Sequence, residues 1–244
     1  MSNSTKGADW VAPDCAGMNF YAVDRGLQSG IAAYLPADLR AVVEPQMDRL
    51  GALGGGRLDE LSRIADRHPP VLHPRDAAGR DLETIEHHPA YREMEQLAYG
   101  EFSMHRMCHV EGVFGWPEAM PPLVRYIFQY LFVQGEFGLI CPVSMADTGL
   151  TLMRNQASDE LKERYLPRML SNDMDELWRC AQFLTEQGAG SDVGNIEVMA
   201  RAEGDHWLID GDKWFCSNAD AEVILLLART EGAVAGSRGL SMFL

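Results

Sequence analysis

The feature that most constrains this chain is a change of hydrophobic period near Cys180. Before it, apolar residues recur at three- and four-residue steps: Leu39, Val42, Val43 and Leu50, then Leu58, Leu61, Ile64 and Ala65. After it, Ile196, Val198, Ala200 and Ala202 alternate with Glu197, Met199, Arg201 and Glu203. A period near 3.6 gives a helix one buried face, and a period of two does the same for a strand. The expected fold is therefore α+β: an all-α helical domain over 1–172, then an antiparallel β-domain over 173–244.

Local punctuation divides the helical part. Pro36-Ala37-Asp38 opens a helix that Gly54-Gly55-Gly56 ends, and His68-Pro69-Pro70 stops the next one. Residues 71–81 read as irregular. Helices are expected over 89–107, 122–137 and 144–156, and Ser158 is expected to cap another, with Asp159 and Glu160 where the helix dipole favours acidic groups. In the β part, Gly204-Asp205 turns a hairpin back through Trp207 to Ile209. Further strands are expected over 213–215, over 223–228 and from Leu240. Leu244 falls inside that last apolar run and would leave an unpaired sheet edge. The chain thus reads as a fragment, or as one that needs a partner.

Composition narrows the function. With 244 residues and 46% hydrophobic residues the chain can bury a sizeable core. A net charge of −15 repels phosphate backbones, which argues against nucleic acid as a partner of this segment. Cys15, Cys108, Cys141, Cys180 and Cys216 are scattered without a C-x-x-C pair, as in a reduced, cytoplasmic protein. The opening MSNSTKGADW has no apolar stretch and does not read as a signal peptide. The most apolar stretch, 123–145, is interrupted by Arg125, Gln129, Gln134, Glu136 and Pro142. A spanning helix needs about 20 mostly apolar residues, so this reads as buried helix and no membrane span is expected.

Two segments carry candidate chemistry. The first, AQFLTEQGAGSDVGNIEV over 181–198, joins a glycine-rich turn to the Thr185 and Ser191 hydroxyls. Backbone N–H groups that can be approached closely, beside short donors, suit a dinucleotide pyrophosphate; an ordinary glycine-rich loop is the alternative. Gly188, Gly190 and Gly194 miss the Rossmann spacing, and a strand follows where that fingerprint requires a helix. The second, IDGDKWFCSNADAE over 209–222, places Trp214 and Phe215 on opposite faces of the expected strand, with Ser217 on the side of Phe215. Such a face offers an aromatic plane and a donor; core packing of both rings is the alternative. Glu101, His105 and His109, with Cys108 nearby, fall at i, i+4 and i+8 of the expected helix. No second helix offers matching ligands, so they read as a solvated or interfacial face and no metal site is expected. His87-His88 before Pro89 reads as a helix start.

Taken together, the two segments resemble the acyl-CoA dehydrogenase family. LTEQGAGSDVG resembles its apolar-Thr-Glu-x-Gly-Ala-Gly-Ser-Asp signature, GDKWFCSN its Gly-x-Lys-x-aromatic-x-Thr/Ser-Asn run, and SDELKERYLPRML the last helix of its amino-terminal domain. The resemblance is close over 137–244 and general before that. It implies an amino-terminal helical domain and a middle β-domain, truncated before the carboxy-terminal helical bundle. It also implies FAD, with the Leu184 backbone and Thr185 hydroxyl at the pyrimidine end and Ser191 and the Gly190 amide at the pyrophosphate. Phe215 matches the aromatic against the ring, and Ser217 the hydroxyl beside flavin N5. The sequence departs from the common pattern in Trp214, in Phe215 where Trp is usual, and in Gln187 for Pro. Lys-Trp-Phe-x-Ser, with the upstream HPAYREM, resembles the alkylation-response, AidB-type branch.

The implied reaction is FAD-dependent α,β-dehydrogenation of an acyl-CoA-type thioester by a homo- or hetero-oligomer. In the family the catalytic base is a Glu later in the chain than these motifs. Glu186 belongs to the signature but is not the family's base, and Glu101, Glu111 and Glu136 match no catalytic motif, so no catalytic residue is assigned. The alternatives are a non-catalytic flavin-binding or assembly subunit, and an alkylation-response flavoprotein.

Overall fold

The computed structural model describes residues 12–244; the amino-terminal stretch read above for a signal peptide lies outside them. Asn19 caps α1 (Phe20–Val23), accepting from the amides of Tyr21 and Ala22, while its own amide group donates to Asp48. Asp24 caps α2 (Arg25–Tyr34) through the Leu27 amide and also accepts from the Tyr130 hydroxyl. Both helices precede the first one expected. α3 (Ala37–Gly54) buries Leu39, Val43, Met47 and Leu50, one face at helical spacing, and packs on α6 (Pro122–Val133), which buries Val124, Phe128 and Leu131. α4 (Arg57–Asp66) covers the same core with Leu58 and Leu61.

Residues 71–81 are not irregular. β1 (Val71–Arg75) pairs antiparallel with β2 (Asp81–Glu86) in a hairpin whose faces are largely exposed, so no buried alternation marks it in sequence. His88 caps α5 (Pro89–Glu95) through its Nδ1, as a helix start should, with Pro89 in the first turn. The helix expected to reach 107 does not. It widens into a π-helical turn over Gln96–Glu101 and ends at Phe102. α7 (Ile140–Gln156) and α8 (Asp159–Met169) follow; Ser158 caps α8 through the Leu161 amide, as expected.

The β part is a five-stranded sheet, mixed rather than purely antiparallel. β4 (Met199–Glu203) pairs antiparallel with β5 (His206–Asp210), the expected hairpin, and β6 (Val223–Thr230) antiparallel with β7 (Leu240–Phe243). β3 (Cys180–Phe183), which was not anticipated, runs parallel to β6, as does the short pairing of β4 with β6. Residues 213–215 form no strand. Ile196, Val198 and Ala200 are nonetheless buried and Glu197, Met199 and Arg201 exposed, but Ala202 is exposed as well, so the alternation read from sequence holds only as far as Ala200.

One hydrophobic core runs from the helices into the sheet through Cys180, Val223 and Leu225. β3 lies so close to α7 that a Cβ on Gly149 would sit 2.5 Å from the Cys180 sulfur; only glycine fits there. No helix among the described residues is long and apolar enough to cross a membrane.

Candidate cofactor site

The signature segment occupies a gap in the sheet. β3 ends where Phe183 pairs with Leu226, and β4 begins where Met199 pairs with Arg229. β7 fills the other edge of β6 from Leu226 to Arg229, so β3 and β4 lie in succession on one edge. Residues 184–198 are the excursion between them. Within it, Glu186 and Ala189 exchange backbone hydrogen bonds of 3.0 and 3.1 Å, closing a tight turn.

Glu186 turns inward and organises this excursion. Its carboxylate accepts from Lys213 Nζ at 2.7 Å and from the amides of Glu197 and Val198. Burial disfavours its charge, yet Lys213 and the two amides together outweigh burial and hold the carboxyl below its ordinary range. Lys213 Nζ also donates to the Leu184 carbonyl at 3.1 Å, and the Trp214 amide donates to the Thr185 carbonyl at 2.8 Å. At the far end, the Arg229 guanidinium donates to the Gly194 carbonyl at 2.7 Å and to the carbonyls of Val234 and Gly236. The two sequence segments singled out above are thus stitched together.

The individual residues fall as follows. Leu184 and Thr185 are half-buried and their carbonyls are engaged, while the Thr185 hydroxyl has no hydrogen-bond partner among the described residues. Gly190 and Ser191 are exposed, and neither their amides nor the Ser191 hydroxyl has a partner there. A Cβ on Gly190 would meet only the Thr185 methyl, 4.0 Å away, so these two residues adjoin each other and open space.

The second segment needs correction. Phe215 is not on a strand: its φ is 58°, in the left-handed region that a bulky side chain avoids, and its ring is 81% exposed. The period-two argument that placed Ser217 on the side of Phe215 therefore fails. What joins them is a tight turn in which the Ser217 amide donates to the Phe215 carbonyl at 3.0 Å. Core packing of Trp214 and Phe215 fails equally, since Trp214 is 47% exposed. Trp214, with Gln187, Gly188 and Asn195, lines an open cleft of about 1270 Å³. Ser217 instead lines a smaller cavity of about 370 Å³ with His87, Tyr91, Glu136 and Cys141.

Glu101, His105 and His109 do not share a helical face, because the π-turn shifts the phase and the helix then ends. Glu101 pairs with Arg49, and buried His105 faces the Ser171 carbonyl. His109 lies 3.0 Å from Asp147, whose other oxygen is 2.9 Å from Arg125. Burial pushes the neighbouring Cys108 thiol up to about 11, although Arg125 opposes this. Sequence reasoning missed the Lys213–Glu186 pair, whose signal was the single lysine of 209–222 and the one glutamate inside LTEQGAGSDVG. It also missed a polar hub in which Arg179 meets Glu95, Asp220 and Glu222, partners too far apart in sequence to be matched.

Comparison with known proteins identifies the family. The family described as "Adaptive response protein AidB N-terminal domain" matches residues 11–176, and "Acyl-CoA dehydrogenase, middle domain" matches 181–244. "Acyl-CoA dehydrogenase family member 11" of Caenorhabditis elegans is 30% identical over 241 residues, 93% of this chain and 37% of that protein. "Putative acyl-CoA dehydrogenase AidB" of Escherichia coli is 31% identical over 204 residues, 78% of this chain and 35% of that protein. The solved structure of Caenorhabditis elegans ACDH-11 in complex with C11-CoA superposes with a TM-score of 0.78 at 26% identity, covering 99% of this chain and 42% of that one. The chain thus spans little more than a third of the length of these two curated relatives. Since the AidB-type match alone covers over half of its residues, the chain belongs to the acyl-CoA dehydrogenase family, in the branch with an AidB-type amino-terminal domain.

Proposed function

We propose that this chain holds FAD for an acyl-CoA dehydrogenase-type oxidoreductase, using the 184–191 segment and the Phe215–Ser217 turn. The observation that carries the reading is Phe215: an aromatic ring 81% exposed, on backbone at φ 58°. Unfavourable backbone combined with an exposed apolar plane is costly unless something flat covers it. The donor set fits the same cofactor. The Thr185 hydroxyl, the amides of Gly190 and Ser191 and the Ser191 hydroxyl lack partners among the described residues, and space stands open beside Gly190. In this reading Leu184 and Thr185 meet the pyrimidine end, Gly190 and Ser191 the pyrophosphate, and Phe215 and Ser217 the ring and its N5 edge.

When bound, the flavin supplies a hydride acceptor. The residues of this chain bind and orient it; none is assigned to abstract the substrate's α-proton. Glu186 is occupied by Lys213, Glu101 by Arg49, and Glu136 by the amides of Gly138 and Leu139. That favours, as a second reading, a flavin-holding or assembly unit whose carboxylate base lies elsewhere. The AidB-type match favours, as a third, an alkylation-response flavoprotein. An acyl-CoA substrate is supported by the C11-CoA bound to the Caenorhabditis elegans relative. We place the domain boundary at Asn172, and read the protein as cytoplasmic, from its free, scattered cysteines, and oligomeric at full length. Titrating the purified protein with FAD tests the reading: quenched flavin fluorescence with a shifted visible band is expected, and a well-folded protein that changes neither sinks it.

A further inference from the structure

The turn carrying Phe215 and Ser217 has left-handed backbone at both ends, φ of 58° at Phe215 and 59° at Asn218, and the strain falls on Phe215, since asparagine adopts that region readily. Strained backbone persists only where its surroundings over-determine it. At the front, the Trp214 amide is fixed to the Thr185 carbonyl. At the back stands a hub that none of the cofactor contacts explains. Arg179, just before β3, has a side chain only 10% exposed. Its guanidinium reaches the Asp220 carbonyl at 2.9 Å, the Asp220 carboxylate at 3.4 Å and Glu222 at 3.0 Å. It also reaches Glu95 of α5 at 3.2 Å, and Glu95 is fully buried. The Arg179 amide donates to Glu222 at 2.7 Å, and the Val223 amide to the Arg179 carbonyl. From the helical part, His87 lies 3.2 Å and Arg92 3.7 Å from Asp220, and Arg92 lies 2.6 Å from Glu95.

One buried guanidinium thus joins a helix, the start of a strand and the far end of the strained turn. A surface carboxylate in a turn adds little, because solvent screens it. Asp220 differs in facing Arg179, Arg92 and His87 at once, from two parts of the fold.

We propose that Arg179 and Asp220 are positioning residues, which clamp the Phe215–Ser217 turn in its strained form against the helical domain. Their value to the cofactor rests on the flavin reading above; the clamp itself does not. Releasing the clamp lets the turn relax and withdraws the Phe215 plane and the Ser217 hydroxyl from their places, while the core stays packed.

Hydrogen exchange without flavin, followed by FAD titration, tests this on the purified protein. Asp220→Asn keeps the shape and removes the charge, whereas Asp220→Glu keeps the charge. In Asp220→Asn, amide exchange across 214–222 is expected to quicken about tenfold, with FAD affinity falling by a similar factor. The helical domain should exchange as before, and Asp220→Glu should stay close to the parent protein. Unchanged local exchange in Asp220→Asn, or equal loss in Asp220→Glu, overturns the clamp; so does faster exchange spread evenly over the chain. Glu222→Gln serves the same comparison if Asp220→Asn fails to fold. A parent protein without FAD affinity overturns the flavin reading, and local exchange still decides the clamp.

Discussion

Lys213 Nζ lies 2.7 Å from Glu186 Oε1, with 4% and 8% of the two side chains exposed, and this contact joins the two segments that mark the family. Removing one partner of a buried ion pair leaves an uncompensated charge and costs about 3–5 kcal/mol. Lys213→Met is therefore expected to lower unfolding stability by roughly 3 kcal/mol in urea titrations at neutral pH. The pH dependence follows from the depressed Glu186 carboxyl. Its contribution is complete above the unfolded carboxylate pKa of about 4.3 and fades as pH falls through the lower folded value. Lys213→Met should diminish that acid-side loss. A variant as stable as the parent at neutral pH would show that the contact does not join the segments.

His105 gives a second, independent pH signature. Burial lowers its pKa to about 3, although the Ser171 carbonyl opposes this. A base depressed on folding is neutral in the native state, so the unfolded chain takes up the proton first. Stability is then untouched above pH of about 6.5 and is lost between there and about 3, at roughly 1.4 kcal/mol per pH unit. Measured over that window, His105→Gln should make the slope of stability against pH shallower by close to one proton. An unaltered slope would mean that His105 titrates alike in both states.

Some of this was legible in the sequence, for identifiable reasons. Ser158 with Asp159 and Glu160 states a helix start in local chemistry, which holds, and the alternation at Ile196, Val198 and Ala200 states a buried side of the chain, which holds although only Ala200 of the three lies within β4. The hairpin Val71–Glu86 left no such mark because it buries little. The helix face through Glu101, His105 and His109 was an artefact of assuming constant pitch, which the π-turn at Gln96–Glu101 breaks. Phe215 misled for a different reason. Left-handed backbone is ordinarily announced by glycine, asparagine or aspartate, and a phenylalanine between Trp214 and Cys216 announces a strand instead. The Arg179 hub brings Glu95 to a partner 84 residues away, which no local pattern encodes.

Under the proposed flavin reading, the open face at Gly190 separates binding from folding. A Cβ there meets nothing closer than the Thr185 methyl at 4.0 Å, and Gly190 has no left-handed φ. Gly190→Val with Ser191→Ala should consequently change stability by no more than about 0.5 kcal/mol. FAD affinity should fall at least about tenfold, through a lost donor and a blocked approach. Thermal melts and flavin titration on the same preparation check both. Unweakened binding would move the pyrophosphate away from this segment.

A similar separation applies to Phe215. With its ring 81% exposed it buries little in the protein, so Phe215→Ala should hardly lower the melting temperature. It should shift the bound flavin's visible spectrum more than Trp214→Phe, which keeps an aromatic in the neighbouring cleft. The reverse ranking would assign the flavin's aromatic neighbour to Trp214.

The parallel pairing of β3 with β6 sets a timetable for the newborn protein. Arg179 and Glu222, which flank that pairing, are 43 residues apart. A ribosome adding about 5–20 residues per second takes on the order of a few seconds to cover that distance. Over that interval β3 has been made and its pairing partner β6 has not. The nascent signature therefore passes through a vulnerable phase in which its strand is uncovered.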